Sequence, residues 1–267
     1  RFDNGVRFLK RLRQEGGLPA SIRLVNNTEF RFGQALKPAP SAIQGVMSKV
    51  QKFVLLTLKG FDPLEMAACT IVMEGTQREV AHQKKIIFTL VKAYGGMSGG
   101  SHNGQRGYML TFGIAYIRDF FNQFHIMGET FETSVPWNRI HDVTKAVEKK
   151  LQQECATHHI RGIPYLAYRV TQTYHTGVCI YFTMGFSGKG LDKPDATYHQ
   201  IEAGLRQAIL DNGGSLSHHH GIGKIRAGFL SQVQSAASLQ VLRETKRAVD
   251  PDNIFGARNG ALADTAG

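Results

Sequence analysis

Residues 213–224 read Gly-Gly-Ser-Leu-Ser-His-His-His-Gly-Ile-Gly-Lys, three consecutive imidazoles framed by glycines. Neutral imidazole accepts a proton at one ring nitrogen and donates at the other, so His218, His219 and His220 can donate, accept or shuttle protons near neutral pH. Gly213, Gly214, Gly221 and Gly223 permit tight turns and close approach of the backbone to a bound ring or phosphate. The triplet also reads as a metal-binding or merely solvated cluster. Adjacent side chains diverge and rarely all ligate one ion, and no carboxylate or cysteine lies at a persuasive spacing from them. No metal site is expected.

Over residues 178–186 apolar side chains alternate (Val178, Ile180, Phe182, Met184, Phe186), so Tyr181 and Thr183 point to the other face of a strand. A phenol on a rigid strand is a well-placed acid/base group if its surroundings tune it, or else a surface tyrosine. In a helix over 107–122, Thr111, Ile114, Ala115 and Arg118 share one face. An arginine on an apolar face demands an anion, either a ligand phosphate gripped by the guanidinium fork or a carboxylate of the core. Arg23 alternates with Ile22 and Leu24 and faces a cleft or water.

Several elements must position these groups. Helical spacing covers 3–15 and ends at Gly16-Gly17. Strands are expected at 21–25, 29–32, 53–59 and 69–74, with a turn at Asn26-Asn27. Helices follow at 76–94, 107–122, 136–157 and 194–211, with a ligand-covering loop at 95–107. A hairpin joins strands 165–173 and 178–186, and further helices lead to Asp250-Pro251-Asp252-Asn253. The expected fold class is α+β, a largely antiparallel sheet with flanking helices in a split β-α-β arrangement.

At 267 residues, 42% hydrophobic and 20% charged, the composition is ordinary for a globular chain. No apolar run approaches the ~20 residues that span a bilayer. The amino terminus has no signal-peptide pattern, and a start without Met reads as a cut from a longer chain. Three scattered cysteines favour a reducing compartment and core or strand positions. The net charge of +11 favours anionic partners. Because its basic residues are dispersed, nucleic acid is the weaker choice.

A series of motifs then runs in order through the chain: Pro-Ala-Ser-Ile-Arg-Leu (19–24), Phe-Gly-Gln-Ala-Leu-Lys-Pro (32–38), Lys-Gly-Phe-Asp-Pro (59–63) and Asn-Gly-Gln-Arg-Gly-Tyr (103–108). Ala-Tyr-Ile-Arg-Asp (115–119), Gly-Glu-Thr-Phe-Glu-Thr-Ser (128–134), Cys-Ile-Tyr-Phe (179–182), Ser-His-His-His-Gly (217–221) and Val-Asp-Pro-Asp-Asn-Ile-Phe-Gly (249–256) complete it. Together they resemble the carboxy-terminal half of the alkyldihydroxyacetonephosphate synthase family, vanillyl-alcohol-oxidase type flavoproteins of ether-lipid synthesis.

That resemblance implies FAD as cofactor, with residues 1–210 as cap and substrate domain and 211–267 completing the FAD domain. It implies Tyr181 as general acid/base, His218, His219 and His220 as essential groups near the flavin, and Arg118 and Arg23 as substrate-binding arginines. Gly221 and Asn253 join the triplet as cofactor contacts. The implied reaction exchanges the acyl group of acyl-dihydroxyacetone phosphate for a fatty alcohol while a flavin ring nitrogen holds the substrate carbon. The implied setting is peroxisomal and peripheral to a membrane, in a homodimer of the parent enzymes, with Phe120, Phe121 and Phe124 as candidates for the lipid path. This sequence departs from the family in lacking the amino-terminal pyrophosphate-binding subdomain, and its tail carries no Ser-Lys-Leu type signal. Two other functions stay open: an FAD-dependent 2-hydroxy-acid dehydrogenase of the same superfamily, and a non-catalytic fragment pairing with a full-length synthase.

Overall fold

The computed structural model describes residues 1–16, 18–36, 57 and 60–262, with the side chains of residues 106, 108–111 and 113–115 outside the description. The elements in chain order are α1 (Phe2–Glu15), β1 (Ser21–Val25), α2 (Asn27–Ala35), β2 (Ala68–Val72), α3 (Gln77–Ala93) and α4 (Ser101–Asn122). Then come β3 (Ile126–Pro136), α5 (Ile140–Thr157), β4 (Tyr165–Thr173), β5 (Gly177–Ser187), α6 (Pro194–Asp211), α7 (Leu230–Val233) and α8 (Ala236–Val249).

The five strands form one sheet of order β2-β1-β4-β5-β3, antiparallel at every described pairing. β3 and β4 flank β5 and so run parallel to each other, joined by α5. This is the expected α+β class with a split β-α-β unit. Register aligns Leu24 with Val170 and Val170 with Ile180, which fixes the buried face. Onto that face α1, α5 and α6 press Leu9, Leu12, Val143, Val147, Ile201 and Leu205, all at most 1% exposed. Burying an apolar side chain of this size contributes about 1.5–3 kcal/mol, so this layer fixes the sheet rigidly. A second, smaller cluster of Leu216, Leu230 and Leu239 lies beyond α6. Among the described residues no helix is long and apolar enough to cross a membrane.

Three sequence expectations are corrected. Residues 29–32 are helical, because Asn26 caps α2: its Oδ1 accepts from the Glu29 N–H at 3.0 Å, so the Asn-Asn pair starts a helix and not a hairpin. The loop expected over 95–107 ends at Gly100 (φ +82°), where α4 begins, secured by Asn103 Nδ2 donating to the Gly99 carbonyl at 2.7 Å. Third, residues 126–136 are a strand where the sequence pattern suggests no element. The strand expected at 53–59 lies outside the described residues save position 57.

Candidate active site

The face of the sheet opposite the core carries the chemistry. Because side chains alternate along strands, the register places Glu132 opposite Tyr181 on β3–β5 and Arg169 opposite Tyr181 on β4–β5. Val25 lies opposite Arg169, so Arg23, two residues along β1, shares this face. Tyr181 donates to or accepts from the Thr130 hydroxyl at 2.9 Å. The Arg169 guanidinium carbon sits 4.6 Å from the centre of the Tyr181 ring, and Arg169 is itself held by Glu29 of α2 at 2.5 Å.

The histidine triplet reaches this face by wrapping around β3, the free edge of the sheet. Gly214 permits the wrap: a Cβ there would collide with Ile209 Cγ2 and come within 2.8 Å of Thr133 Oγ1. The chain then pairs with the edge, the Ser215 N–H donating to the Ser134 carbonyl at 2.9 Å. Arg206, fully buried, bonds the carbonyls of Glu132 at 2.8 Å and Leu216 at 3.1 Å and the carboxylate of Glu202 at 2.5 Å. Thus two of the four framing glycines, Gly213 (φ +85°) and Gly214, serve the helix exit and edge packing. Gly221 and Gly223 have open space where a side chain would stand.

Glu132 holds the triplet in place. Its buried carboxylate accepts from the Ser217 hydroxyl at 2.9 Å, the His218 N–H at 2.6 Å and the His220 N–H at 3.1 Å. Arg226 Nη2 lies 3.9 Å from the same group and the His220 ring 3.7 Å. Burial alone would raise this carboxyl, but the His218 amide, the Ser217 hydroxyl, the His220 amide and the His220 ring together hold it below the ordinary range. His219 then stacks on Tyr181 (5.8 Å, 15°) and His220 meets the same ring edge-on (5.4 Å, 84°).

A hydrogen-bond chain fixes the imidazole tautomers. The Tyr174 hydroxyl donates its one proton to Gln172 Oε1 at 2.7 Å and so accepts from His218 Nε2–H at 2.7 Å. Neutral His218 therefore accepts at Nδ1, and His219 Nδ1–H donates to it at 2.9 Å. His219 is left with a lone pair at Nε2. Desolvation, followed by the neighbouring His219, pushes the His218 ring down from its ordinary value. Desolvation also lowers His220, against the pull of Glu132.

These shifts set a pH dependence. A histidine with a lowered folded pKa stabilises the turn above its ordinary value of 6.5 and loses that contribution as pH falls. Glu132 adds a contribution that is lost at still lower pH, through its depressed folded value. Acidification from pH 7 to 5 is expected to lower the protection factors of the His218 and His220 amides, each rate referred to the intrinsic exchange rate at that pH, while the β5 amides keep theirs. Unchanged protection factors would show that the rings do not couple to the turn.

The other expected site residues are placed as follows. Arg118 is not buried on an apolar face: its side chain is 58% exposed, with Nη1 3.4 Å from Glu129 and Nε 3.8 Å from Asp119. β3 runs beside α4 and supplies a carboxylate, the alternative to phosphate that the sequence left open. The side chains of Thr111, Ile114 and Ala115 lie outside the described residues. Asn253 lies in the turn after α8, left-handed (φ +51°), its N–H donating to the Asp250 carbonyl at 3.0 Å. Glu132, Arg169, Thr130, Tyr174 and Cys179 do not stand out in the sequence as site residues. The alternation Thr130, Glu132, Ser134 against Phe131, Thr133, Val135 is a usable signal for the first of them.

The histidine turn leaves an open surface. His219 and His220 are exposed beside the open turn at Gly221 and Gly223, and the tail presents Ile225, Ile254 and Phe255 to solvent. Residues 1–259 match the model of the FAD linked oxidases, C-terminal domain, and the chain belongs to that family. Its relatives are enzymes, and FAD is the family's cofactor. The chain is 38% identical to alkyldihydroxyacetonephosphate synthase of Caenorhabditis elegans over 97% of its own length and 43% of the relative's. It is 26% identical to the enzyme of that name from Dictyostelium discoideum, over 96% of this chain and 42% of the relative. A solved alkyldihydroxyacetonephosphate synthase structure superposes with a TM-score of 0.71 at 22% identity, covering 97% of this chain and 43% of that one, which shows the shared fold. The chain thus spans less than half the length of these relatives.

Proposed function

We propose that this chain supplies the substrate and acid/base half of an ether-lipid transferase. The enzyme would replace the acyl group of acyl-dihydroxyacetone phosphate by a fatty alcohol. Residues 1–210 act as the cap and the chain from 211 onward returns to the flavin. The observation that carries the reading is Tyr181, a strand phenol with a guanidinium over its ring and two imidazoles packed against it. FAD, held by His218, His219, His220, Gly221 and Asn253, would supply a nucleophilic ring nitrogen for the substrate's first carbon.

Tyr181 takes a proton from that carbon and later returns it. His219, whose Nε2 is the acceptor, relays the proton or orients the phenol, and His220 closes the other side. His218 fixes the His219 tautomer. Arg23 and Arg169 lie on the same face and offer positive charge for the substrate phosphate. Arg118 serves that role by releasing Glu129 for the phosphate. Gly221 and Asn253 contact the cofactor. On α4, Phe112, Tyr116 and Phe120 are spaced four residues apart and stand 61%, 78% and 54% exposed, an apolar stripe suited to acyl chains or a membrane surface. A peroxisomal setting and a homodimer belong to this reading.

The test is exchange of labelled fatty alcohol into acyl-dihydroxyacetone phosphate by the FAD-loaded protein without an electron acceptor. Turnover that requires an acceptor and a 2-hydroxy acid would instead make it a dehydrogenase. Absence of both activities would favour a fragment that pairs with an intact synthase.

A further inference from the structure

Cys179 has no part in the chemistry above, yet it lies two residues before Tyr181 beneath the histidine turn. Its Sγ is 3.8 Å from His219 Nδ1, and His219 Nδ1 is 2.9 Å from His218 Nδ1. One potential ligand atom from each of Cys179, His218 and His219 falls within 4.8 Å of the other two. Neighbouring histidines usually diverge, but the turn held by Glu132 brings these two Nδ1 atoms together. A tetrahedral ion bound at ordinary Zn–N and Zn–S lengths separates its nitrogens by about 3.3 Å and nitrogen from sulfur by about 3.6 Å. The His218 Nδ1–His219 Nδ1 separation of 2.9 Å and the Cys179 Sγ–His219 Nδ1 separation of 3.8 Å stand within a few tenths of an ångström of those two spacings.

For His218 the outer partner is also in place. A ligating histidine normally donates its second ring N–H to a fixed acceptor, which orients the ring. His218 Nε2 donates to Tyr174, and Tyr174 is anchored on Gln172. One thiol and two imidazoles select zinc-like, borderline-soft ions over magnesium or calcium.

We propose that Cys179, His218 and His219 form a binding site for Zn²⁺, open to solvent on the His219 side. On binding, the Cys179 thiol proton leaves to solvent and the sulfur donates an electron pair to the metal. The His219 proton moves by way of solvent from Nδ1 to Nε2, freeing Nδ1 to ligate. Both imidazoles stay neutral and no electron changes hands. An occupied site ties up His218 and the His219 lone pair, so Zn²⁺ inhibits the exchange reaction. That inhibitory consequence rests on the functional reading above, whereas the binding site does not.

The test titrates the metal-free protein with Co²⁺ alone under reducing conditions. A thiolate-to-cobalt charge-transfer band with intense tetrahedral d–d bands is expected, saturating at one equivalent and displaced by Zn²⁺. Cys179→Ser should abolish the charge-transfer band, and Tyr174→Phe should weaken binding about 10–100-fold. His219→Gln is the second ligand variant, and circular dichroism checks that each variant folds. No band, or a band that survives Cys179→Ser, overturns the site. In the FAD-loaded protein, Zn²⁺ is expected to stop exchange and a chelator to restore it. Binding of Co²⁺ with exchange untouched by Zn²⁺ would overturn the inhibitory role alone. A protein without exchange activity would sink the functional reading and leave the cobalt titration to decide the site.

Discussion

Replacing Tyr181 with Phe is expected to lower alcohol-for-acyl exchange by about 10²–10⁴-fold, the usual contribution of a positioned acid/base group. The phenyl ring keeps the stack with His219, the edge contact with His220 and the guanidinium of Arg169 over its face. Only the hydroxyl and its 2.9 Å bond to Thr130 are lost, which costs about 1 kcal/mol of stability. The variant should therefore fold and bind flavin while failing to exchange. Paired measurements of the flavin spectrum and the exchange rate separate these effects. Exchange within threefold of the parent would remove Tyr181 from the chemistry and leave His219 Nε2 as the base.

Glu132→Ala carries the second large effect, and it acts through position. The substitution removes the acceptor of three hydrogen bonds and leaves Arg226, 8% exposed, without the carboxylate that faces it. Uncovering one partner of a buried charge pair costs about 3–5 kcal/mol. We expect a loss of that order in denaturant unfolding, together with at least a 10²-fold fall in exchange as the imidazoles leave the Tyr181 ring. Glu132→Gln keeps an acceptor oxygen but not the charge and should fall between. Hydrogen exchange at the His218 and His220 amides gives the specific readout, rising in both variants while α5 stays protected. An Ala variant of parental stability, with the amides still protected, would show that Arg206 and the Ser215 edge pairing hold the turn without the carboxylate.

Much of this site is legible in the amino-acid sequence. The period-2 pattern of residues 178–186 puts Tyr181 off the core face, because alternation on a strand is a local steric fact. The ordered motifs identify the family, the amphipathic stretch at 140–157 gives α5, and the turn at 174–177 gives the β4–β5 hairpin. Local patterns mislead where capping chemistry competes with propensity, as at Asn26, whose side chain opens a helix. They mislead also at β3, where a Gly- and Thr-containing stretch forms an edge strand.

Beyond the reach of the sequence is everything that depends on which distant residues meet. Glu132 lies 86 positions from His218 and Cys179 lies 40 from His219, and no local pattern links either pair. The tertiary structure decides both by leaving β3 at the open edge of the sheet, so that the chain after α6 must wrap around it and deliver its imidazoles to the Tyr181 face. It also decides Arg118, whose helical position is legible but whose partner, Glu129, arrives from another element. The sequence determined which groups this protein can use and which face of each element they occupy, because those follow from backbone periodicity. Only the packed fold determined their partners, because partnership comes from long-range packing, to which sequence spacing is blind.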